Sequence, residues 1–211
     1  MNIRSYTFEE YVDRVKSFHG FAAPGLVIGG FMVELAYQHL PEGGLFNAVC
    51  ETAKCLPDAI QLLTSCTVGN GRLTVVNLGR YAMAFYDKSK GEGIRVFLNP
   101  TKLETWPEIK SWFFKMKPKK EQDYPILMKQ LKEAGTSICS VEQVKIARHF
   151  LEKKRRGEIA ICPCCKEAYP LADGAICLGC QDEAPYMMTK ITNHSRATHK
   201  STSLKHRNSR K

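Results

Sequence analysis

The sequence predicts an α+β protein: an antiparallel sheet flanked by helices, followed by a small cysteine-rich appendage. Three observations point there. Strand-like runs cluster in the middle of the chain, helical periodicity brackets them, and five of the nine cysteines fall between Ile161 and Cys180. A chain of 211 residues suits one sizeable core plus a small second unit. The expected boundaries are a core domain over 1–156, the cysteine-rich unit over 157–188 and a basic tail over 189–211.

The first helix is read from "TFEEYVDRVKSF", where Phe8, Tyr11, Val12, Val15 and Phe18 recur at helical spacing. Thr7 and Glu10 have the spacing of a capping box. A second helix starts at Pro24, a residue suited to the first helical position, and is apolar on nearly every side. Gly29 and Gly30 inside it each cost about 1 kcal/mol relative to alanine, so another chain segment should pack closely against them. "LFNAVCE" reads as a strand and "PDAIQLLTS" as a short helix opened by Pro57. Three further strands follow in "RLTVVN", "RYAMAFYD" and "GIRVFLN", separated by turn residues. Two or three helices complete 101–156, ending in the charged run "EKKRRGE".

Charge is unevenly placed. The net charge is +10, but the 22 residues from Lys190 onward hold seven Lys/Arg and no acid, leaving 24 bases against 21 acids elsewhere. The tail has too few apolar residues to repay ordering, so disorder is expected, and its charge suits nucleic acid or another polyanion. A solvated end without a partner is the plainer reading. The longest apolar run, Phe21 to Val33, spans only thirteen residues, too few to cross a bilayer. The first twenty residues mix charges through a helix and do not resemble a secretory leader. A cytoplasmic protein with reduced thiols is expected, and paired thiols there suggest metal rather than disulfides.

Cys162–Cys165 and Cys177–Cys180 form two C-x-x-C pairs with eleven residues between them. Each pair presents two sulfurs from one turn, and four thiolates complete the tetrahedron that structural zinc prefers, leaving no vacancy for a reactant. One zinc per chain is expected, with an iron–sulfur cluster as the rival. Cys164 stands outside the pattern. The segment is too short for its own core, so the metal supplies its folding energy.

Chemistry is sought earlier. His19 stands just before the apolar helix, and Cys55 just before a helix beginning near Pro57, where the dipole should lower a thiol pKa. Asp58 and Gln61 share a helical face, Cys66 and Thr67 follow it, and Gly69-Asn70-Gly71 allows positive φ and exposed amides for an anion. Each has a plainer counterpart: a core histidine, a capping aspartate, a tight turn. Cys50 and Cys139 read as small buried hydrophobes.

These stretches, "FHGFAAPGL", "CLPDAIQLLTSCTVGNG" and "GRYAMAFYD" in that order, resemble the formylmethanofuran dehydrogenase E-subunit family. The resemblance implies an α+β core, a treble-clef-like zinc finger at 162–180, a homodimer, and a link to one-carbon chemistry and methanogenesis. Matched to the family's motifs, His19 and Cys55 would be catalytic. Asp58, Gln61, Cys66, Thr67, Gly69 and Gly71 would bind substrate. Phe21 and Ala23 stand where the family carries a second histidine and a cysteine, so the core site is partly degenerate. A second metal there would have only His19 and Cys55 to hold it.

The expected function is that of an accessory protein binding a small molecule or metal in one-carbon or redox metabolism, with redox-complex subunits as partners. The alternative is a regulatory protein contacting nucleic acid or a protein through the zinc finger and tail. The basic-aromatic stretches "KSWFFKMKPKK" and "RHFLEKKRR" fit that second reading.

Overall fold

The computed structural model describes residues 2–41, 44–152 and 157–187. The chain divides at Lys153/Lys154 into two units, each taken separately below. The expected basic tail lies outside the described residues. No helix among those described is long and apolar enough to cross a membrane.

The first unit opens with a minimal hairpin, β1 (Asn2–Ile3) and β2 (Tyr6–Thr7). Helix α1 (Phe8–His19) begins on the expected capping box: Thr7 accepts from the Glu10 amide while the Glu10 side chain accepts from the Thr7 amide. Gly20, at φ +89°, closes the helix in the left-handed region. Helix α2 (Pro24–Tyr37) then runs through the middle of the unit with eleven of its fourteen residues buried.

The two glycines of α2 permit close packing. A methyl on Gly29 would lie 2.5 Å from Ala59 Cβ, and one on Gly30 would lie 2.4 Å from the Tyr11 ring. The sheet is five-stranded, formed by β3 (Phe46–Cys50), β4 (Leu73–Val75), β5 (Ala82–Asp87), β6 (Glu92–Leu98) and β7 (Cys139–Lys145) in the order β4-β3-β5-β6-β7. Beside it lie α3 (Leu56–Leu63), α4 (Pro107–Phe113), α5 (Tyr124–Ala134) and the single turn α6 (Arg148–Leu151).

Two features depart from the sequence reading. β4 pairs with β3 in parallel, Ala48 opposite Leu73, because α3 carries the chain back across the sheet before β4 begins. β7, in a region that reads as helical, pairs antiparallel with β6 along its whole length. The sheet is otherwise antiparallel, with β5 buried from Ala82 to Tyr86 as its central strand.

The second unit is a hairpin of two three-residue strands, β8 (Ile159–Ile161) and β9 (Ala168–Pro170), followed by 3-10 turns at Leu171–Asp173 and Leu178–Gln181.

Candidate functional site

The second unit gathers its cysteines. The sulfurs of Cys162, Cys165, Cys177 and Cys180 all lie within 4.8 Å of one another. Two separations, 3.9 Å for Cys162–Cys180 and 3.6 Å for Cys165–Cys177, bracket the ~3.8 Å edge of a tetrahedron with 2.3 Å zinc–sulfur arms. The donor set therefore fits structural zinc. Backbone amides, that of Cys177 foremost, hold the Cys162 thiol down at about 6, while its neighbours, led by Cys177, push Cys180 up. Crowded thiols of this kind ionise together only around a cation. Cys164 is exposed and outside the quartet. Among the described residues this is the only such cluster of three or more His, Cys, Asp or Glu donors.

In the first unit, three tyrosine hydroxyls hold the first turn of α2 and the segment just before it. Tyr11 donates to Leu26 O at 2.8 Å, Tyr81 to Gly25 O at 2.6 Å and Tyr124 to Ala22 O at 2.6 Å. Against this turn stands Cys55, the N-cap of α3, at φ 51° and ψ −47°. The Leu56 amide bonds back to Lys54 O, which makes Cys55 the centre of a γ-turn of the rare, strained kind. A methyl on Gly25 would stand 2.8 Å from Cys55 Cβ and 3.0 Å from its sulfur, so only glycine permits this approach.

Cys55 lines a cavity of about 330 Å³. Phe21, Ala23 and Gly25 supply one side, Trp112 of α4 and Tyr124 of α5 another, with Lys119 and Gln122 also on the lining. Three aromatic rings, one thiol, one amide and one cation thus surround a volume suited to a small organic ligand.

The predicted site residues separate into groups. Cys55 reaches the cavity; its thiol is pushed up by burial and then by the Asp58 carboxylate, opposite to the lowering expected from the helix dipole. Desolvation wins because the thiol is half-buried against α2. His19 Nδ1 meets Asp58 Oδ2 at 3.0 Å, and neither residue lines the cavity. Gln61 Oε1 accepts from the Val68 amide at 3.2 Å, and Cys66 is buried with its thiol directed to Phe46 O.

Gly69-Asn70-Gly71 closes the α3–β4 loop. The Asn70 side chain accepts from the Thr67 and Arg72 amides, and the Asn70 amide donates to Thr67 Oγ1. Of the amides expected to face an anion, those of Asn70 and Gly71 are therefore engaged inside the loop, the latter on Val68 O. The structure does not bring Cys66, Thr67, Gly69 or Gly71 to the cavity.

Sequence reasoning misses the far wall. Trp112 and Lys119 lie in "KSWFFKMKPKK", which reads as a basic surface; its aromatic-basic mixture is the available signal. Glu51 is missed as well. It is buried just beyond the end of β3 and takes Arg95 Nε at 2.7 Å and Nη2 at 3.0 Å, with Arg80 Nε at 2.7 Å.

A helix-centred mixed sheet followed by a four-thiolate hairpin defines the class: an α+β protein carrying a zinc finger. Residues 18–148 match the family model "FmdE, Molybdenum formylmethanofuran dehydrogenase operon", and residues 153–187 match "FmdE treble clef zinc finger". The chain belongs to the FmdE family, the one its motifs resemble. A crystal structure of an FmdE-like protein of the tungsten formylmethanofuran dehydrogenase type, from Syntrophus aciditrophicus, is 53% identical, with a TM-score of 0.82, covering 88% of this chain and 98% of that one. A probable S-adenosyl-L-methionine-binding protein of Archaeoglobus fulgidus is 27% identical over 152 residues, covering 66% of this chain. This chain spans 42% of that relative's length.

Proposed function

We propose that this chain is an accessory, small-molecule-binding member of the FmdE family, linked to one-carbon or redox chemistry, with the Cys55 cavity as its binding site. One observation carries the reading. A strained γ-turn holds a thiol against a cavity walled by Phe21, Trp112 and Tyr124. Strain of this kind costs about 1–3 kcal/mol and concentrates at functional sites. Aromatic walls suit a planar ring, which agrees with a relative described as binding an adenosyl compound. The zinc finger is structural in this reading, because its four sulfurs leave no open position.

The test is a fluorescence titration of Trp112 in a Trp106→Phe background, with adenosine and S-adenosylmethionine as probes. Saturable quenching by either probe is expected, weakened about tenfold or more by Phe21→Ala, which removes one aromatic wall worth about 1–3 kcal/mol. Phe21 is 52% exposed, so its truncation leaves the core intact. No response to either probe at millimolar concentration, or quenching indifferent to Phe21→Ala, would overturn the reading.

A further inference from the structure

A second cavity, of about 670 Å³, adjoins the first: Trp112, Lys119 and Gln122 line both. Its other walls include Lys115, Lys117 and Met116. Three lysines face this space, and among the described residues no aspartate or glutamate lines either cavity. The geometry points to a two-part cleft for a nucleoside diphosphate, its planar ring in the aromatic cavity beside Cys55 and its phosphates between Lys115 and Lys119. This inference rests on the preceding reading of the aromatic cavity as a ligand site and adds the charge and class of the ligand.

Four observations support the assignment. First, Lys119 has no carboxylate partner among the described residues; its Nζ lies 5.8 Å from the Phe21 ring centroid, at the seam of the two cavities. Second, the nearby acids are engaged or off the lining. Glu108 holds Lys117 at 3.1 Å, and Asp123 Oδ1 caps α5 by accepting from the Ile126 amide at 3.0 Å.

Third, Lys115 takes φ +53°, a conformation that turns the chain sharply after α4. The turn is closed by the Phe114 and Met116 amides, which donate to Lys110 O and Ser111 O. Those bonds satisfy two of the last carbonyls of α4. Fourth, ligand charge decides between nucleosides. S-adenosylmethionine carries a sulfonium and an ammonium against one carboxylate, so Lys115 and Lys119 oppose it, whereas a diphosphate is complementary to them.

The experiment compares adenosine, ADP and S-adenosylmethionine on the full-length chain by the same Trp112 fluorescence. ADP is expected to bind at least about tenfold tighter than adenosine, and S-adenosylmethionine more weakly than either. The ADP advantage should shrink as salt rises, while adenosine affinity stays nearly constant. The double variant Lys115→Asn/Lys119→Gln should remove the advantage of ADP over adenosine, both affinities being measured on that variant because Lys119 also lines the adenosine cavity. Both side chains are exposed, and asparagine tolerates positive φ, so the fold is retained. Lys129→Gln, exposed on α5 and lining neither cavity, controls for net charge and should change nothing.

Equal affinities for adenosine and ADP, or an ADP preference that survives the double variant, overturn the diphosphate assignment while leaving the aromatic cavity standing. ADP binding that ignores Phe21→Ala also overturns it, because the ring and phosphates would then sit elsewhere. Absence of binding by all three probes overturns both this inference and the reading beneath it.

Discussion

At Gly30 a single methyl decides whether α1 and α2 fit together. The added carbon would meet the Tyr11 ring at 2.4 Å, and that ring is fully buried with its hydroxyl fixed on Leu26 O. Overpacking of this kind costs about 1–3 kcal/mol, and the short approach favours the upper part of that range. Alanine returns about 1 kcal/mol of helix propensity, so Gly30→Ala should lower stability by about 1–2 kcal/mol in a denaturant titration. The need for a close neighbour was legible, since two glycines inside an apolar helix are otherwise an unexplained cost. At Cys55 the position beside a helix N-terminus was also legible, but its burial was not. Burial against α2 depends on residues far apart in the chain, and it raises the thiol where the dipole alone would lower it. Iodoacetamide at neutral pH should therefore modify Cys55 more slowly than the exposed Cys164. Its rate should still be climbing as pH passes 9, the ordinary value for a thiol, because the raised group ionises only beyond it. A Cys55 as fast as Cys164 at neutral pH would contradict the burial argument.

At the scale of elements, the sheet is tied across its strands by a charged network. Val49, Ala84, Arg95 and Glu142 form one cross-strand row, and Glu51 follows two residues after Val49. Arg95 bridges outward to Glu142 at 2.9 Å and inward to Glu51, which it grips bidentately. Arg95 foremost, with Arg80, holds the Glu51 carboxyl below its ordinary value of 4.5. A depressed carboxylate adds stability that is present above pH 4.5 and is lost as pH falls through its folded value. The wild-type chain should therefore lose stability more steeply than Glu51→Gln as pH falls below 4.5, and at neutral pH the variant should be the less stable of the two. Parallel pH curves from chemical denaturation would remove Glu51 from the account. This network depends on β7, which the sequence concealed. "CSVEQVK" buries Cys139 and half-buries Val141 but exposes Glu142 and Gln143, so an edge strand with few apolar residues imitates a polar helix. The parallel β3–β4 pair was more accessible. A strand, an eight-residue helix and another strand make a crossover unit, and such a crossover returns the second strand parallel to the first.

At the scale of the whole molecule, the two units are held by different physics, and each was legible to a different degree. The first has a contiguous apolar core from Ile3 to Cys139, built on α2 and the inner face of the sheet. Its elements could be read from periodicity, whereas its cavity could not, because Phe21, Cys55 and Trp112 meet only after α4 and α5 close over α2. The second unit could be read almost completely, since ligand spacing carries its architecture. Among its described residues only Cys162 and Tyr169 are buried, too little apolar surface to fold two three-residue strands alone. Zinc bound by four thiolates supplies about 10–16 kcal/mol, which covers that deficit. Removing the metal with a chelator should therefore abolish amide protection across 159–181 in hydrogen exchange. Helical circular dichroism should persist, because every α-helix described belongs to the first unit. Readding zinc should restore protection at one equivalent per chain. Cys177→Ser should behave like the chelated protein, since three remaining sulfurs leave one tetrahedral corner to water, while Cys164→Ser should remain metallated because Cys164 lies outside the quartet. Protection that survives chelation would mean that the hairpin is held by its apolar contacts, and the assignment of its stability to the metal would fall.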